Sequence, residues 1–222
     1  MAARHAKDAL FDGLASVAKA LGNGRRAELV DVLAQGERRV EELATEIDQS
    51  VANTSQHLQL LLRTGLVRTR REGTRVYYSL ASPRVIELWQ AMRQVAQEHV
   101  AELDALAAAY LGDRAELASI SREELAERLR AGDVVVLDVR PAAEYAAGHL
   151  PGALNVPPDE LDERLRALPA DQPIVAYCRG PYCVYADEAV RALSAAGRTA
   201  RRLSDGYPEW AAAGLPTVHA TA

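Results

Sequence analysis

The two cysteines of the chain, Cys178 and Cys183, lie five positions apart in Tyr177-Cys178-Arg179-Gly180-Pro181-Tyr182-Cys183. Two thiols are too few for the disulfide framework of a small secreted domain and suit reactive sulfur in a reducing compartment. Cys178 follows the apolar run Ile174-Val175-Ala176-Tyr177, which reads as a buried strand, and the residues after Cys183 read as a helix. Backbone N–H groups of a tight Gly-Pro loop, the positive end of the following helix and the neighbouring Arg179 guanidinium all favour a thiolate, the nucleophilic form. Cys178 is therefore the candidate catalytic residue, with Arg179, Gly180, Pro181 and Tyr182 as its loop. Cys183 is a candidate resolving thiol, able to attack a modified Cys178 where the loop brings the sulfurs together; its alternative role is a packed, inert first residue of the helix. Val184 stands where a Cys-x5-Arg phosphatase or arsenate-reductase loop needs arginine, so oxyanion chemistry is disfavoured.

The elements that must position these thiols follow from patterning. Ser121 with Glu124 forms a capping box for a helix over Ser121–Leu129. Strand-like runs at Val134–Val139, Asn155–Val156, Ile174–Tyr177 and Ala200–Leu203 alternate with helical segments at Ala142–Ala147, Asp159–Leu168 and Val184–Ala196. This alternation predicts an α/β unit with a mainly parallel sheet, in which ligands gather at the strand carboxyl ends, where Cys178 sits.

Asp138-Val139-Arg140, Glu144-Tyr145, Gly148-His149-Leu150-Pro151-Gly152-Ala153, Tyr177-Cys178-Arg179 and Asp205-Gly206-Tyr207-Pro208-Glu209-Trp210 resemble, in that order, the motifs of single-domain rhodanese sulfurtransferases. The resemblance covers about Ala118 to Thr217 and implies that Cys178 accepts a sulfane sulfur as a persulfide and passes it to a nucleophile, a covalent mechanism. The loop departs from the family pattern: Gly180 is third, Pro181 fourth and Cys183 sixth, which puts thiosulfate as the donor in question. Strand-end and turn hydrogen bonding accounts for Asp138, Arg140 and His149 at least as well as catalysis does.

The first half reads differently. A helix near Lys7–Leu21 is broken by Gly22-Asn23-Gly24; helices follow at Arg25–Ala34 and Val40–Ile47, and Ser50 caps a fourth through Thr64. In that fourth helix Val51, Thr54, Leu58, Leu61 and Leu62 form the inward stripe, leaving Asn53, Gln56, Gln59 and Arg63 outward. Two short helices joined by a tight turn read as helix-turn-helix, and Leu66–Arg70 and Val76–Leu80 as a hairpin through Glu72-Gly73. Arginines 63, 68, 70, 71 and 75 stand in this stretch against Glu72 alone, a local surplus suited to phosphate.

Ser50-x4-Ser55-x-His57-Leu58-x2-Leu61, Gly65-Leu66-Val67 and Arg71-Glu72-Gly73-x2-Val76-Tyr77-Tyr78 resemble the ArsR/SmtB family of winged-helix repressors over roughly Leu21 to Leu80. The resemblance implies a recognition helix in the major groove and a wing on the backbone. Candidate DNA contacts are Ser50, Asn53, Ser55, Gln56, Gln59, Arg63, Arg70, Arg71 and Arg75, since amides read base edges and guanidinium groups suit phosphate. His57, beside inward Leu58, reads as a packed histidine. Pro83 opens a helix read through Leu111, with Val85, Leu88, Trp89, Met92, Val95, His99, Leu103, Leu106 and Tyr110 in one stripe. At about 29 residues and 43 Å it outruns a small domain and predicts a homodimer through the 83–111 helix, with docking on the second half as the alternative. His99 and Glu102 could form half a metal site, but the helix at Val40–Ile47 has no thiol, so no metal and no cofactor are expected.

Apolar residues make up 49% and charged residues 26%, a balance that excludes a disordered chain or a fibre. No apolar run nears the roughly 18 residues of a membrane span, and the first 21 residues lack a signal-peptide core, so a cytoplasmic protein without membrane contact is expected. The net charge of -5 is unevenly spread: residues 1–112 hold 14 basic and 14 acidic side chains, residues 113–222 hold 12 and 17. The sequence thus predicts a winged helix-turn-helix DNA-binding and dimerisation domain over 1–112 and an α/β rhodanese-like domain over 113–222. The function expected is an operator-binding repressor that senses or transfers sulfane sulfur from a donor to a thiol acceptor through a Cys178 persulfide. The alternatives are a thiosulfate or polysulfide sulfurtransferase that uses its winged helix for localisation or autoregulation, and an assembly module without DNA.

Overall fold

The computed structural model describes residues 2–164, 168–169 and 172–219. The chain divides into two compact units, Met1–Met92 and Arg93–Ala222.

In the first unit, α1 (Ala2–Leu21) and α2 (Gly24–Leu33) are separated at Gly22-Asn23, where the Asn23 side chain caps α2. Helix α3 (Val40–Glu46) and helix α4 (Val51–Arg63) form the helix-turn-helix. Asp48, between them, adopts φ of 48°, a left-handed turn position that Asp tolerates. Strands β2 (Val67–Glu72) and β3 (Arg75–Leu80) pair antiparallel with Arg71 opposite Val76. Gly73, at φ 59°, makes their tight turn, a conformation β-branched or bulky residues resist. A two-residue strand, β1 (Arg38–Arg39), adds to β3; two arginines gave no apolar signal from which to expect it. Leu29, Val30, Leu43, Ile47, Leu58, Leu61 and Val67 close the core. Val51, expected inward, is 46% exposed because it opens α4 at the surface, one turn before Thr54 and Leu58 become buried.

The helix expected from Pro83 through Leu111 is two helices, α5 (Pro83–His99) and α6 (Leu103–Leu111). After Val100, a β-branched residue, the Leu103 N–H bonds the Val100 carbonyl at 3.0 Å, three residues back, and the α-helical ladder stops. The continuous length inferred for this segment therefore does not hold. Its stripe divides: Val85, Trp89 and Met92 join the first core, while Val95, Leu106 and Tyr110 are exposed.

The second unit is a five-stranded, wholly parallel sheet in the order β4-β8-β7-β5-β6. The strands are β4 (Ser119–Ile120), β5 (Val135–Asp138), β6 (Leu154–Asn155), β7 (Ile174–Tyr177) and β8 (Ala200–Leu203). Strands β5 and β7 are buried at every residue, as continuous apolar runs covered on both faces must be. Around them lie α7 (Arg122–Ala131), capped by Ser121, α8 (Ala142–Ala147), α9 (Leu161–Arg164), α10 (Val184–Ala195) and α11 (Tyr207–Ala212). The helix expected over Asp159–Leu168 begins as a 3-10 turn at Pro158–Glu160 and continues as α9; residues 165–167 lie outside the described residues.

Candidate thiol site and nucleic-acid interface

Cys178 stands at the carboxyl end of β7, and Cys183 is the N-cap of α10. The two form a disulfide with Cα atoms 6.1 Å apart, so the loop does bring the sulfurs together. The Cys183 N–H bonds the Gly180 carbonyl at 3.1 Å, and the Cys178 carbonyl accepts the Tyr207 N–H at 3.0 Å. In this bridged form Cys178 is buried and Cys183 half-buried.

Arg179 pairs with a buried carboxylate. Its guanidinium makes a forked pair with Glu144, Nε to Oε1 at 3.0 Å and Nη2 to Oε1 at 2.6 Å, because a carboxylate 1% exposed requires a partner. The cation expected to favour a Cys178 thiolate thus has the Glu144 carboxylate beside it. Gly180 lies against Gly206: a Cβ on Gly206 would run into the Arg179-Gly180 backbone, so close packing of two chain segments demands glycine there. Glu209 then accepts the Gly206 N–H at 3.0 Å and pairs with Arg93.

Asp138 and Arg140, both 0% exposed, are a buried structural pair. Arg140 Nε and Nη2 donate to Asp138 at 3.0 and 2.6 Å, and Nη2 also reaches the Gly148 carbonyl at 2.6 Å. Burial disfavours the Arg140 cation, but hydrogen bonds and charge from Asp138 outweigh it and raise its pKa. Tyr177 donates its hydroxyl to Asp138 and accepts the Leu150 N–H at 3.1 Å; burial, then the Asp138 charge, pushes its pKa far up. The network thus pins the residue before Cys178. His149 is likewise engaged, Nδ1 lying 2.9 Å from the Tyr145 carbonyl.

Three residues that hold the loop gave no signal in the sequence. Arg114, beyond α6, donates to the Pro181 carbonyl at 2.7 Å and the Cys183 carbonyl at 3.3 Å, and pairs with Asp187. Asp187, in the first turn of α10, is 1% exposed. Gln97 donates to the Tyr182 hydroxyl at 2.8 Å. Separations of 67 to 85 residues hide such pairs from any local pattern.

In the first unit, Asn53, Gln56, Gln59 and Arg63 form an exposed face of α4, Ser55 is half-buried, and Ser50 is exposed with its hydroxyl accepting the Asn53 N–H at 3.2 Å. His57 is half-buried among the inward residues. On the wing, Arg71 and Arg75 are exposed and carry no carboxylate partner among the described residues. Arg70 is tied to Glu37 and to Glu72, the latter at 3.0 Å, and its hydrogen bond holds the Glu37 carboxyl below the usual range. His99 closes α5 and Glu102 precedes α6, both exposed. Among the described residues no group of three or more His, Cys, Asp or Glu side chains is placed to hold a metal ion, and no helix is long and apolar enough to cross a membrane.

Comparison with known proteins agrees with this division. Residues 23–69 match the model for bacterial regulatory proteins of the arsR family, and residues 121–213 match the rhodanese-like domain. The chain is 50% identical over 210 residues to the HTH-type transcriptional regulator Rv0324 of Mycobacterium tuberculosis, covering 95% of this chain and 92% of that protein. It is 36% identical over 100 residues to a sulfurtransferase of Allochromatium vinosum, covering 45% of this chain and 92% of that one. A solution structure of a homodimeric winged helix-turn-helix DNA-binding domain from Mycobacterium bovis is 49% identical, covers 42% of this chain and 86% of that one, and superposes with a TM-score of 0.40.

Proposed function

Because the chain belongs to the ArsR-family transcriptional regulators and carries a C-terminal rhodanese domain, we propose that it is an operator-binding repressor switched by sulfane sulfur at Cys178. The observation that carries this reading is the bridge between Cys178 and Cys183, which gives a persulfide on Cys178 an intramolecular fate. The Cys178 thiolate attacks the sulfane sulfur of a persulfide or polysulfide donor, RSSH, forming Cys178–S–SH and releasing RS⁻. The Cys183 thiolate then attacks the Cys178 sulfur and expels HS⁻, leaving the disulfide. Two thiols supply the two electrons that reduce sulfane sulfur to sulfide, so no further oxidant is required. Exposed amides on α4 and the unpaired wing arginines support duplex recognition. Val95, Leu106 and Tyr110 of the 83–111 segment, with Leu10, Phe11 and Leu14 on α1, are exposed apolar surface that supports assembly as a homodimer.

Mass spectrometry of both cysteines after polysulfide treatment, beside operator titrations of wild type, Cys178→Ser and Cys183→Ser, tests the proposal. The bridged wild type changes operator affinity roughly 5- to 150-fold, the span of a typical allosteric coupling. Cys178→Ser stays unmodified and unresponsive, while Cys183→Ser retains the persulfide and forms no bridge. An operator affinity unchanged by the bridge refutes sensing. The match to a sulfurtransferase supports a second reading, sulfur transfer to an external thiol; sustained turnover of polysulfide with a thiol acceptor, at constant operator affinity, establishes it instead.

A further inference from the structure

We propose that Arg114 is a positioning residue for the resolving thiol and sets how readily Cys178 and Cys183 join. The inference rests on the reading that these cysteines cycle between thiol and disulfide. Arg114 lies outside the loop and far from it in sequence, yet its guanidinium holds the loop at two carbonyls and the helix that follows it at a third point. It donates to the carbonyl of Pro181 at 2.7 Å and of Cys183 at 3.3 Å, and pairs with Asp187 in the first turn of the helix that Cys183 caps. Only 20% of the Arg114 side chain is exposed, and Asp187 is 1% exposed, so the pair is shielded from water and salt.

The planar fork of five donors suits this task, because one rigid group presents donors in fixed, divergent directions, whereas an ammonium on a flexible stem does not. By fixing the carbonyls of Pro181 and Cys183, Arg114 removes freedom that the loop would otherwise lose when the disulfide closes. The cost of ordering is met before the sulfurs meet, which raises the effective concentration of the Cys183 thiolate at Cys178. Without Arg114 the disulfide alone must order the loop. The reduced, mobile state then gains and the bridged state does not. Ordering one residue's backbone corresponds to roughly a factor of ten in an equilibrium constant.

The full-length protein is equilibrated across ratios of reduced to oxidised glutathione, trapped with an alkylating mass tag, and the bridged fraction read by mass spectrometry. Arg114→Ala is expected to lower the bridging equilibrium constant about tenfold, raising the midpoint potential by about 30 mV. Arg114→Lys, the milder variant, retains charge but reaches one acceptor, and falls between Arg114→Ala and wild type. Arg191→Ala is the control: its guanidinium holds the neighbouring Asp113 carbonyl at 3.0 Å without touching the loop, so it leaves the midpoint where wild type has it. Midpoints of both Arg114 variants equal to wild type overturn the inference, as does an equal shift in Arg191→Ala. A wild type that shows no reversible couple overturns the thiol-cycling reading, and this inference with it, whereas a normal wild-type couple with both Arg114 midpoints unmoved overturns the inference alone.

Discussion

Removing the charge of Asp138 while keeping its shape isolates the contribution of the pair that underlies the thiol site. In Asp138→Asn, Arg140 remains a cation at 0% exposure and loses the carboxylate that accepts from its Nε and Nη2. The Arg140 backbone N–H, its Nε and its Nη2, at 3.0, 3.0 and 2.6 Å, and the Tyr177 hydroxyl then face an amide that offers one acceptor and turns N–H donors toward a guanidinium. Unit charges about 4 Å apart at an effective dielectric near 20 interact by about 4 kcal/mol, and breaking buried pairs from one side costs about 3–5 kcal/mol. That is a large share of the roughly 5–15 kcal/mol that holds a domain together. Urea unfolding of the unreduced protein in a Trp89→Phe background reads this unit alone through Trp210, which is 1% exposed. With a slope of about 2 kcal/mol/M, a loss of about 4 kcal/mol lowers the midpoint by about 2 M. A midpoint shifted by less than about 0.5 M refutes the argument that the Asp138 charge stabilises buried Arg140. The double variant Asp138→Leu with Arg140→Met recovers much of the loss, because it leaves no charge behind.

Two further predictions concern the wing and the site's acidic flank. Arg71→Ala and Arg75→Ala each weaken operator and non-operator DNA alike and lower the salt dependence of binding by about one phosphate contact. Arg70→Ala does less, since Arg70 must first leave Glu37 and Glu72; an equal or larger loss for Arg70→Ala in a salt titration contradicts this. Burial raises the pKa of Asp205 above 3.8 although Arg122 lies 3.2 Å away. Its contribution to stability is therefore fully present below the unfolded-state value and is lost as pH rises through the folded-state value. Asp205→Asn accordingly unfolds at higher urea than wild type at pH 7, and the difference disappears below pH 3.8; an unchanged midpoint at pH 7 argues against the burial effect.

Much of the fold was legible because its signals are local. The apolar runs of β5 and β7, the Ser50 and Ser121 caps and the glycine at the wing tip each depend on neighbours a few residues away. The break after His99 was not legible, since Val100-Ala101-Glu102 contains neither proline nor glycine and the apolar stripe runs on through it. Nor were β1 and β4, two-residue strands defined by their pairing with β3 and β8.

At the site, residue type and spacing alone placed Cys178 at a strand end before a helix, with a second thiol five residues on, and turned amides and arginines outward from the helix-turn-helix and its wing, while the fold brought the two sulfurs together. Tertiary structure decided which charges are spent. Arg179 goes to Glu144, Arg70 to Glu37, Arg140 to Asp138, and the remote Arg114 to the loop that Arg179 was expected to serve. Hydropathy is written along the chain, whereas a charge finds its partner only when folding excludes water and makes an unpaired ion costly. That choice depends on which side chains meet in space.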